Sequence, residues 1–344
     1  MNFFTEVINT WLKTCDGLRS IEEETIPVLY PRIPGVKPAR KDNPYNAWAT
    51  KVEIKGESSG ILAGKTIAIK DNVFIAGTPL TNGSKIWEGY TPEFDATVVT
   101  RILQAGGTIL GKSTCENQCL SANSFTSASG PVPNPHDVTR SAGGSSSGSA
   151  VLVATGEVDM AIGGDQGGSI RMPSCWSGCV GLKATFGLVP CNWILRIERI
   201  KVIVTVKATC TSNCCAIIFQ GVAVRLNEFI VIVARATNLC LEPSLDHLGP
   251  MASNVTDVAK LLEVIAGYDE GRDHRQNPHV VIPKYSQLLT GDLTGVKFGY
   301  VKEGSGRASD GVKSVMSHVI TKLRESGAVV EEVSIPLHAQ SNFY

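Results

Sequence analysis

Apolar positions along the chain follow two alternating periods. Lys65-Thr66-Ile67-Ala68-Ile69-Lys70 has the short alternation of a strand, and the turn-forming Asp71-Asn72 leaves Lys70 at its end. Val98, Val99, Ile102 and Leu103 then fall on one face of a helix over 95–105, which Gly106-Gly107 closes before a strand at Thr108 to Leu110. The same rhythm predicts a helix over 146–155 and a strand over 158–162. Further along it predicts helices over 255–266 and 311–325 and strands over 296–301 and 328–335. Alternating strands and helices of these lengths imply an α/β fold with a mixed central sheet covered by helices on both sides.

Three stretches depart from the rhythm. Residues 1–18 place Phe3, Phe4, Val7, Ile8, Trp11 and Leu12 among Glu6, Asn9, Lys13 and Asp16, the pattern of a short amphipathic helix. No uninterrupted apolar core and small-residue cleavage site follows, so a cytoplasmic or organellar location is expected ahead of secretion. Residues 19–60 read as irregular, with Pro27, Pro31, Pro34, Pro38 and Pro44 spaced through them. Between Cys191 and Cys240, 31 of 50 residues are apolar, with no proline and one glycine. Strand-like runs lie at 200–206 and 229–234, but Lys201, Lys207, Arg225, Glu228 and Arg235 interrupt any span long enough to cross a membrane.

Composition narrows the chemistry. Thirty-two Lys and Arg balance thirty-two Asp and Glu, so nothing in the net charge calls for nucleic acid or an anionic membrane as partner. Of ten cysteines, Cys115/Cys119 and Cys175/Cys179 form two C-x3-C pairs that could supply a four-thiolate metal site. Their apolar or Ser/Gly-rich surroundings favour buried free thiols instead.

The 34 glycines concentrate where backbone geometry matters. Arg140-Ser141-Ala142-Gly143-Gly144-Ser145-Ser146-Ser147-Gly148 precedes a predicted helix, and Gly163-Gly164-Asp165-Gln166-Gly167-Gly168-Ser169-Ile170-Arg171 follows a predicted strand. Flanking periodic elements argue against a flexible linker, and the missing lysine after the glycines argues against a phosphate-binding P-loop. A nucleophilic serine would need a base. The six histidines, at 136, 247, 274, 279, 318 and 338, sit in no nucleophile-elbow order, and Gly144-Ser145-Ser146-Ser147-Gly148 matches G-x-S-x-G only loosely. Lysine is the alternative base.

These motifs resemble the amidase-signature family of Ser-cisSer-Lys hydrolases. The resemblance rests on Lys70-Asp71-Asn72, Gly143 to Gly148, Gly164 to Arg171 and Gly181-Leu182-Lys183, in that order. Lys70 and Ser145 are 75 residues apart, Ser145 and Ser169 a further 24, as in that family. The resemblance implies Ser169 as acylating nucleophile, Ser145 as bridging serine after a cis Gly144-Ser145 peptide, and Lys70 as base. It also implies an oxyanion hole from the amides of Gln166, Gly167, Gly168 and Ser169, with Gly144, Ser146, Asp165 and Arg171 in support. A base lysine must be neutral, and a free one, near 10.4, is mostly charged at neutral pH. Desolvation in a closed pocket would supply the neutral form. Asp71 and Asn72 could orient Lys70 or merely form its turn. Met172, Trp176 and Phe186 could line an acyl pocket or belong to the core.

The resemblance further implies hydrolysis of small linear carboxamides to carboxylate and ammonia or amine, without metal or organic cofactor. It points closest to bacterial broad-specificity amidases and leaves room for a homodimer. Its alternative is the glutaminase subunit of a tRNA-dependent amidotransferase, which needs partner subunits. By the same resemblance residues 1–60 form an N-terminal arm, 61–336 the amidase-signature domain and 337–344 a tail. The domain would be incomplete at its C-terminus and interrupted by the atypical 191–240 segment, and Ala184 stands where the family commonly has proline. An inactive fragment, a mis-spliced or mis-translated gene product, or an unusual true isoform would account for these departures.

Overall fold

Every residue of the central strand is apolar between Thr66 and Lys70, because both faces of that strand are covered. The computed structural model describes residues 27–192, 216–219, 222–225, 245–305 and 308–337. The helix expected over 1–18, most of the 191–240 segment with its two strand-like runs, and 338–344 lie outside the described residues. The strands are β1 (Trp48–Lys55), β2 (Thr66–Lys70), β3 (Thr108–Ser113), β4 (Met160–Asp165), β5 (Val180–Gly181), β6 (Ala216–Phe219), β7 (Val222–Arg225), β8 (His247–Ala252), β9 (Lys297–Val301) and β10 (Val329–Val333). The α-helices are α1 (Thr97–Gln104), α2 (Ser147–Ala154), α3 (Arg171–Ser177), α4 (Val255–Ile265), α5 (Lys302–Ser305) and α6 (Asp310–Glu325).

Six strands form one sheet in the order β1-β3-β2-β4-β8-β5. Its centre, β3-β2-β4, is parallel, whereas β1 runs antiparallel to β3, and β8 antiparallel to β4 and β5. The expected α/β fold with a mixed sheet and helices on both faces is therefore present. Side-chain alternation divides the core into two layers. Ile67 and Ile69 of β2, Ile109 of β3, and Met160 and Ile162 of β4 enter one cluster with Val98, Val99, Ile102 and Leu103 of α1 and Leu261, Leu262 and Ile265 of α4. Ala68 and Ala161 face the other way, onto Ala150, Val151 and Leu152 of α2, with Ile170 and Met251.

Small residues on that second face bring α2 close to the sheet end. A Cβ on Gly148 would lie 2.3 Å from the Ala47 carbonyl oxygen and 2.6 Å from the Thr114 nitrogen, so only glycine fits where the first turn of α2 meets neighbouring backbone. This contact fixes the position of Ser145 and Ser146, immediately before the helix.

The stretch 19–60, expected to be irregular, contains β1. Its burial alternates, with Trp48, Thr50, Val52 and Ile54 inside and Lys51, Glu53 and Lys55 outside, an edge-strand pattern that the prolines preceding it obscure. Cys115 and Cys119 are buried as expected, but Cys175 is exposed and Cys179 half-buried. Cys175 lies on the solvent side of the short helix α3, whose buried side chains are Pro173, Ser174 and Ser177.

Contacts divide the chain into two units, Met1–Ser286 and Gln287–Tyr344. In the second, β9 and β10 pair in parallel, with Val329 opposite Lys297 and Val333 opposite Val301. Ser309 caps α6 by accepting from the Val312 amide at 3.4 Å, and the basic Lys322 and Arg324 occupy its last turn. Among the described residues no helix is long and apolar enough to cross a membrane.

Leu103 is wholly buried where α1 meets the sheet. Leu103→Ala is expected to lower unfolding stability by about 2–5 kcal/mol through lost transfer free energy and a residual cavity. Urea unfolding checks this as a lower midpoint with an unchanged slope.

Candidate active site

Lys70 ends β2, and parallel pairing with β3 and β4 carries it to the edge of the fully buried sheet centre. Its Nζ donates to Ser145 Oγ at 2.7 Å and to the Gly164 carbonyl at 3.2 Å. Ser145 follows a cis Gly144-Ser145 peptide. The Gly144 amide donates to the Ala122 carbonyl at 2.8 Å, and the Ser145 carbonyl accepts from the Glu116 amide at 3.2 Å. A Cβ at position 144 would lie 1.9 Å from the Asn123 carbonyl oxygen, which makes glycine the residue that fits.

Ser169 reaches the same region through its backbone. Its carbonyl accepts from the Ser146 amide at 3.2 Å. The Ser146 hydroxyl in turn donates to the Gly164 carbonyl and accepts from the Gly164 amide, each at 3.2 Å. Lys70 and Ser145 thus touch directly, while Ser169 is tied to the residue after Ser145. The Ser169 side chain is half-buried, and among the described residues no hydrogen bond engages its hydroxyl.

Asp165 organises the Ser169 loop. Its Oδ1 accepts from the Gly168 amide at 2.8 Å, and its Oδ2 from the Ile170 amide at 3.1 Å. The Arg171 guanidinium closes on both carboxylate oxygens, at 3.0 and 2.9 Å. Burial pushes the Asp165 carboxyl upward, yet the Arg171 bond and the loop amides outweigh it and hold the pKa below the ordinary carboxylate value.

The Gly168 amide, expected among the oxyanion donors, is committed to Asp165. No loop or side-chain hydrogen bond among the described residues occupies the amides of Gln166, Gly167 or Ser169. Gly167 is exposed, and a Cβ there would meet nothing within 4 Å, so the loop opens onto free space at that point. The Gln166 side chain donates to Asp246 Oδ1 at 2.9 Å. Trp176 and Phe186, at 42% and 48% exposure, are not core residues. Phe186 meets the edge of the His247 ring at 5.9 Å and lies under the Arg275 guanidinium at 5.6 Å. Met172 is half-buried, with its sulfur beside Gly168.

Further ionisable groups are buried around the ends of β2 and β3. Lys112 is wholly buried in β3, and its Nζ lies 3.0 Å from Asp71 Oδ1. Asp71 Oδ2 accepts from the Thr81 amide at 3.1 Å and its hydroxyl at 2.5 Å, so the carboxylate that follows Lys70 in the chain serves Lys112 and Thr81. The available signal was a lysine inside a strand with an apolar start, Thr108-Ile109-Leu110-Gly111-Lys112. Glu116 is buried, its carboxyl raised by burial against hydrogen bonds from Thr126 and the charge of Lys70. The Cys119 thiol donates to Asn82 Oδ1 at 3.2 Å. The neighbouring Cys115 thiol, with Lys70 and Ser145, draws the Cys119 pKa down to about 7 against the effect of burial.

Two of the histidines are engaged elsewhere: His136 Nε2 lies 2.8 Å from the Ser177 carbonyl, and His247 Nδ1 2.8 Å from that of Leu245. No group of three His, Cys, Asp or Glu side chains gathers among the described residues in a manner that could hold a metal.

The sequence profile of the amidase family matches residues 41–220 and 231–342. The chain is 39% identical over 305 residues to the enantioselective amidase of Rhodococcus rhodochrous, covering 88% of this chain and 50% of that protein. It is 37% identical over 289 residues to a glutamyl-tRNA(Gln) amidotransferase subunit from Methanosarcina acetivorans, covering 84% and 51%. The chain spans about half the length of the curated relatives it matches. Among solved structures, a glutamyl-tRNA(Gln) amidotransferase subunit from Thermotoga maritima superposes with a TM-score of 0.63 at 30% identity, over 83% of this chain and 56% of that one. The peptide amidase of Stenotrophomonas maltophilia gives 0.61 at 28%, over 80% and 49%.

Because the folded state holds the Asp165 carboxyl below its unfolded value, its contribution to stability is complete above about pH 4 and is lost as pH falls through the folded pKa. Asp165→Asn is expected to melt at a lower temperature than the wild type at pH 7. The gap should narrow through the acid range below about pH 4. Thermal unfolding of both proteins across that range checks the sign.

Proposed function

This chain belongs to the amidase family, and on that footing we propose that it hydrolyses carboxamides through an acyl-enzyme on Ser169. The observation that carries the reading is the 2.7 Å hydrogen bond between the wholly buried Lys70 and Ser145, beside the Ser169 loop. With Nζ neutral and the same contact reversed, Lys70 takes the Ser145 proton while Ser145 takes that of Ser169. Ser169 Oγ then adds to the carboxamide carbon. The amides of Gln166, Gly167 and Ser169 receive the charge that develops on the carbonyl oxygen. Return of the proton through Ser145 releases ammonia or amine, and water, deprotonated along the same route, cleaves the acyl ester.

For the substrate, the relatives support the glutaminase component of an amidotransferase better than a free-standing amidase. Glutamyl-tRNA(Gln) amidotransferase subunits recur among them, such as those of Methanosarcina mazei at 38% and Methanosarcina barkeri at 37% identity. The leading substrate is accordingly a glutamine-like side-chain carboxamide, with ammonia passed to a partner protein. The 39% identity to an enantioselective amidase supports the second reading, turnover of small carboxamides without a partner.

The test combines an active-serine acylating probe, read by intact mass, with ammonia release. Ser169→Ala is expected to lose the adduct and to lower turnover at least about a thousandfold. Lys70→Ala should slow both about a hundredfold or more. An adduct on the folded Ser169→Ala protein would remove Ser169 from its role. Ammonia from glutamine only when amidotransferase partner subunits are added supports the first substrate reading, whereas turnover of simple carboxamides by the chain alone supports the second.

A further inference from the structure

We propose that Cys115 and Cys119 are a modification site, a thiol pair that hydrogen peroxide closes to a disulfide, with loss of acylation at Ser169. The inference rests on the acyl-enzyme reading for what it controls, while the pairing itself stands on the loop after β3. Cys119 Sγ donates to Asn82 Oδ1 at 3.2 Å and Cys115 Sγ to the same oxygen at 3.8 Å, so the two sulfurs converge on one acceptor. The Cys119 amide donates to the Glu116 carbonyl at 2.9 Å, and this single turn brings residues four apart side by side. The backbone there has an uncommon form. Gln118 and Cys119 have φ of 53° and 59°, and Asn82, whose carbonyl accepts from the Gln118 amide at 2.8 Å, has 49°. Residues other than glycine rarely adopt this left-handed region, and they persist in it only where their surroundings over-determine them. A Cβ on Gly83 would lie 2.4 Å from the carbonyl oxygens of both Cys115 and Glu116, so the segment that carries Asn82 is packed directly on the turn.

The two thiols are chemically unequal. The hydrogen bond with Cys115, joined by the charge of Lys70 and by bonds with Lys70 and Ser145, draws the Cys119 pKa down to about 7, whereas the same thiol-thiol bond and burial push Cys115 up. Cys119 is accordingly the thiol that ionises and attacks, and Cys115 the one that resolves. The Cys119 thiolate attacks one peroxide oxygen, the O-O bond breaks, and the departing hydroxide takes up the proton that Cys119 gave up, leaving a sulfenic acid and one water. The Cys115 sulfur then attacks the Cys119 sulfur, the S-O bond breaks, and a second water carries off the Cys115 proton. Peroxide is reduced to two waters, and the thiols are oxidised to one disulfide. Burial, at 0% exposure for Cys115 and 3% for Cys119, restricts the oxidant to one this small. The consequence reaches the dyad through the same turn. Between the two cysteines the Glu116 amide holds the Ser145 carbonyl at 3.2 Å, and the Cys119 sulfur faces Lys70 and Ser145. Closing the disulfide reshapes the turn that carries that amide, and misplacing a catalytic group by about 1 Å costs on the order of a hundredfold in rate.

The experiment exposes the full chain to hydrogen peroxide, alkylates the remaining free thiols, maps the cysteines by peptide mass, and follows Ser169 acylation by the serine probe before and after dithiothreitol. The wild type is expected to yield a peptide in which Cys115 and Cys119 resist alkylation and are joined to each other, with acylation at least about tenfold slower. Dithiothreitol should reverse both changes. Cys119→Ser should keep its own untreated acylation rate through the same exposure, and Cys115→Ser should form no linkage and carry a dimedone adduct on Cys119 instead. A linkage with unchanged acylation, slowed acylation without the linkage, or equal slowing of Cys119→Ser would overturn the proposal. Should either variant fail to fold, the wild-type map and its reversal decide alone. A reduced wild type that the probe does not label removes the acyl-enzyme reading and this inference together, whereas a labelled protein that forms no Cys115-Cys119 linkage overturns only the thiol pair.

Discussion

A lysine amine removed from water is costly unless other groups replace its hydration. For Lys70 that replacement is a hydroxyl at 2.7 Å and a carbonyl at 3.2 Å, supplied by two separate segments. Ser145 comes from the loop before α2, and Gly164 from the end of β4. Both must arrive within a few tenths of an ångström of the place set by β2. Much of the surrounding architecture follows from that constraint: parallel pairing aligns the ends of β2 and β4, and the small residues of the α2 face let the helix settle against the sheet.

Glycine is used here for approach as much as for turning. At positions 144 and 148 a side chain would run into carbonyl oxygens of neighbouring segments, so the Ser145 loop is held by backbone packed on backbone. Such contacts leave little room for rearrangement, and they explain why a Ser/Gly-rich stretch that could be a flexible linker is instead buried and fixed. The Ser169 loop is held differently. There a buried carboxylate gathers the amides of Gly168 and Ile170 and the guanidinium of Arg171, leaving the backbone at Gly167 facing open space. One loop is positioned by exclusion and the other by charge, and Ser146 joins them through its amide and hydroxyl.

A second layer of ionisable groups, Asp71, Lys112, Glu116 and the Cys115/Cys119 pair, lies just beyond the dyad. None of these need touch a substrate to matter, because charges in a dry interior act on one another far more strongly than in water. The proposed role of Lys70 as base therefore rests on more than its hydrogen bonds.

The alternating apolar periods placed three of the six strands of the large sheet, β2, β3 and β4, and the helices α1, α2 and α4 that cover it, because each buried face repeats at a fixed interval. The glycine and serine motifs, with their spacings, likewise singled out Lys70, Ser145 and Ser169. β1 escaped the pattern because the prolines ahead of it masked a short alternation of Val52 and Ile54 with charged residues. The commitment of the Gly168 amide to Asp165 and the pairing of Lys112 with Asp71 were beyond reach for a different reason. Asp71 and Lys112 are 41 positions apart, one just past the end of β2 and the other within the adjacent β3, and nothing local in either segment signals the other. Residue types and periods are written along the chain, whereas which buried charge meets which is settled only when strands pair and water is excluded.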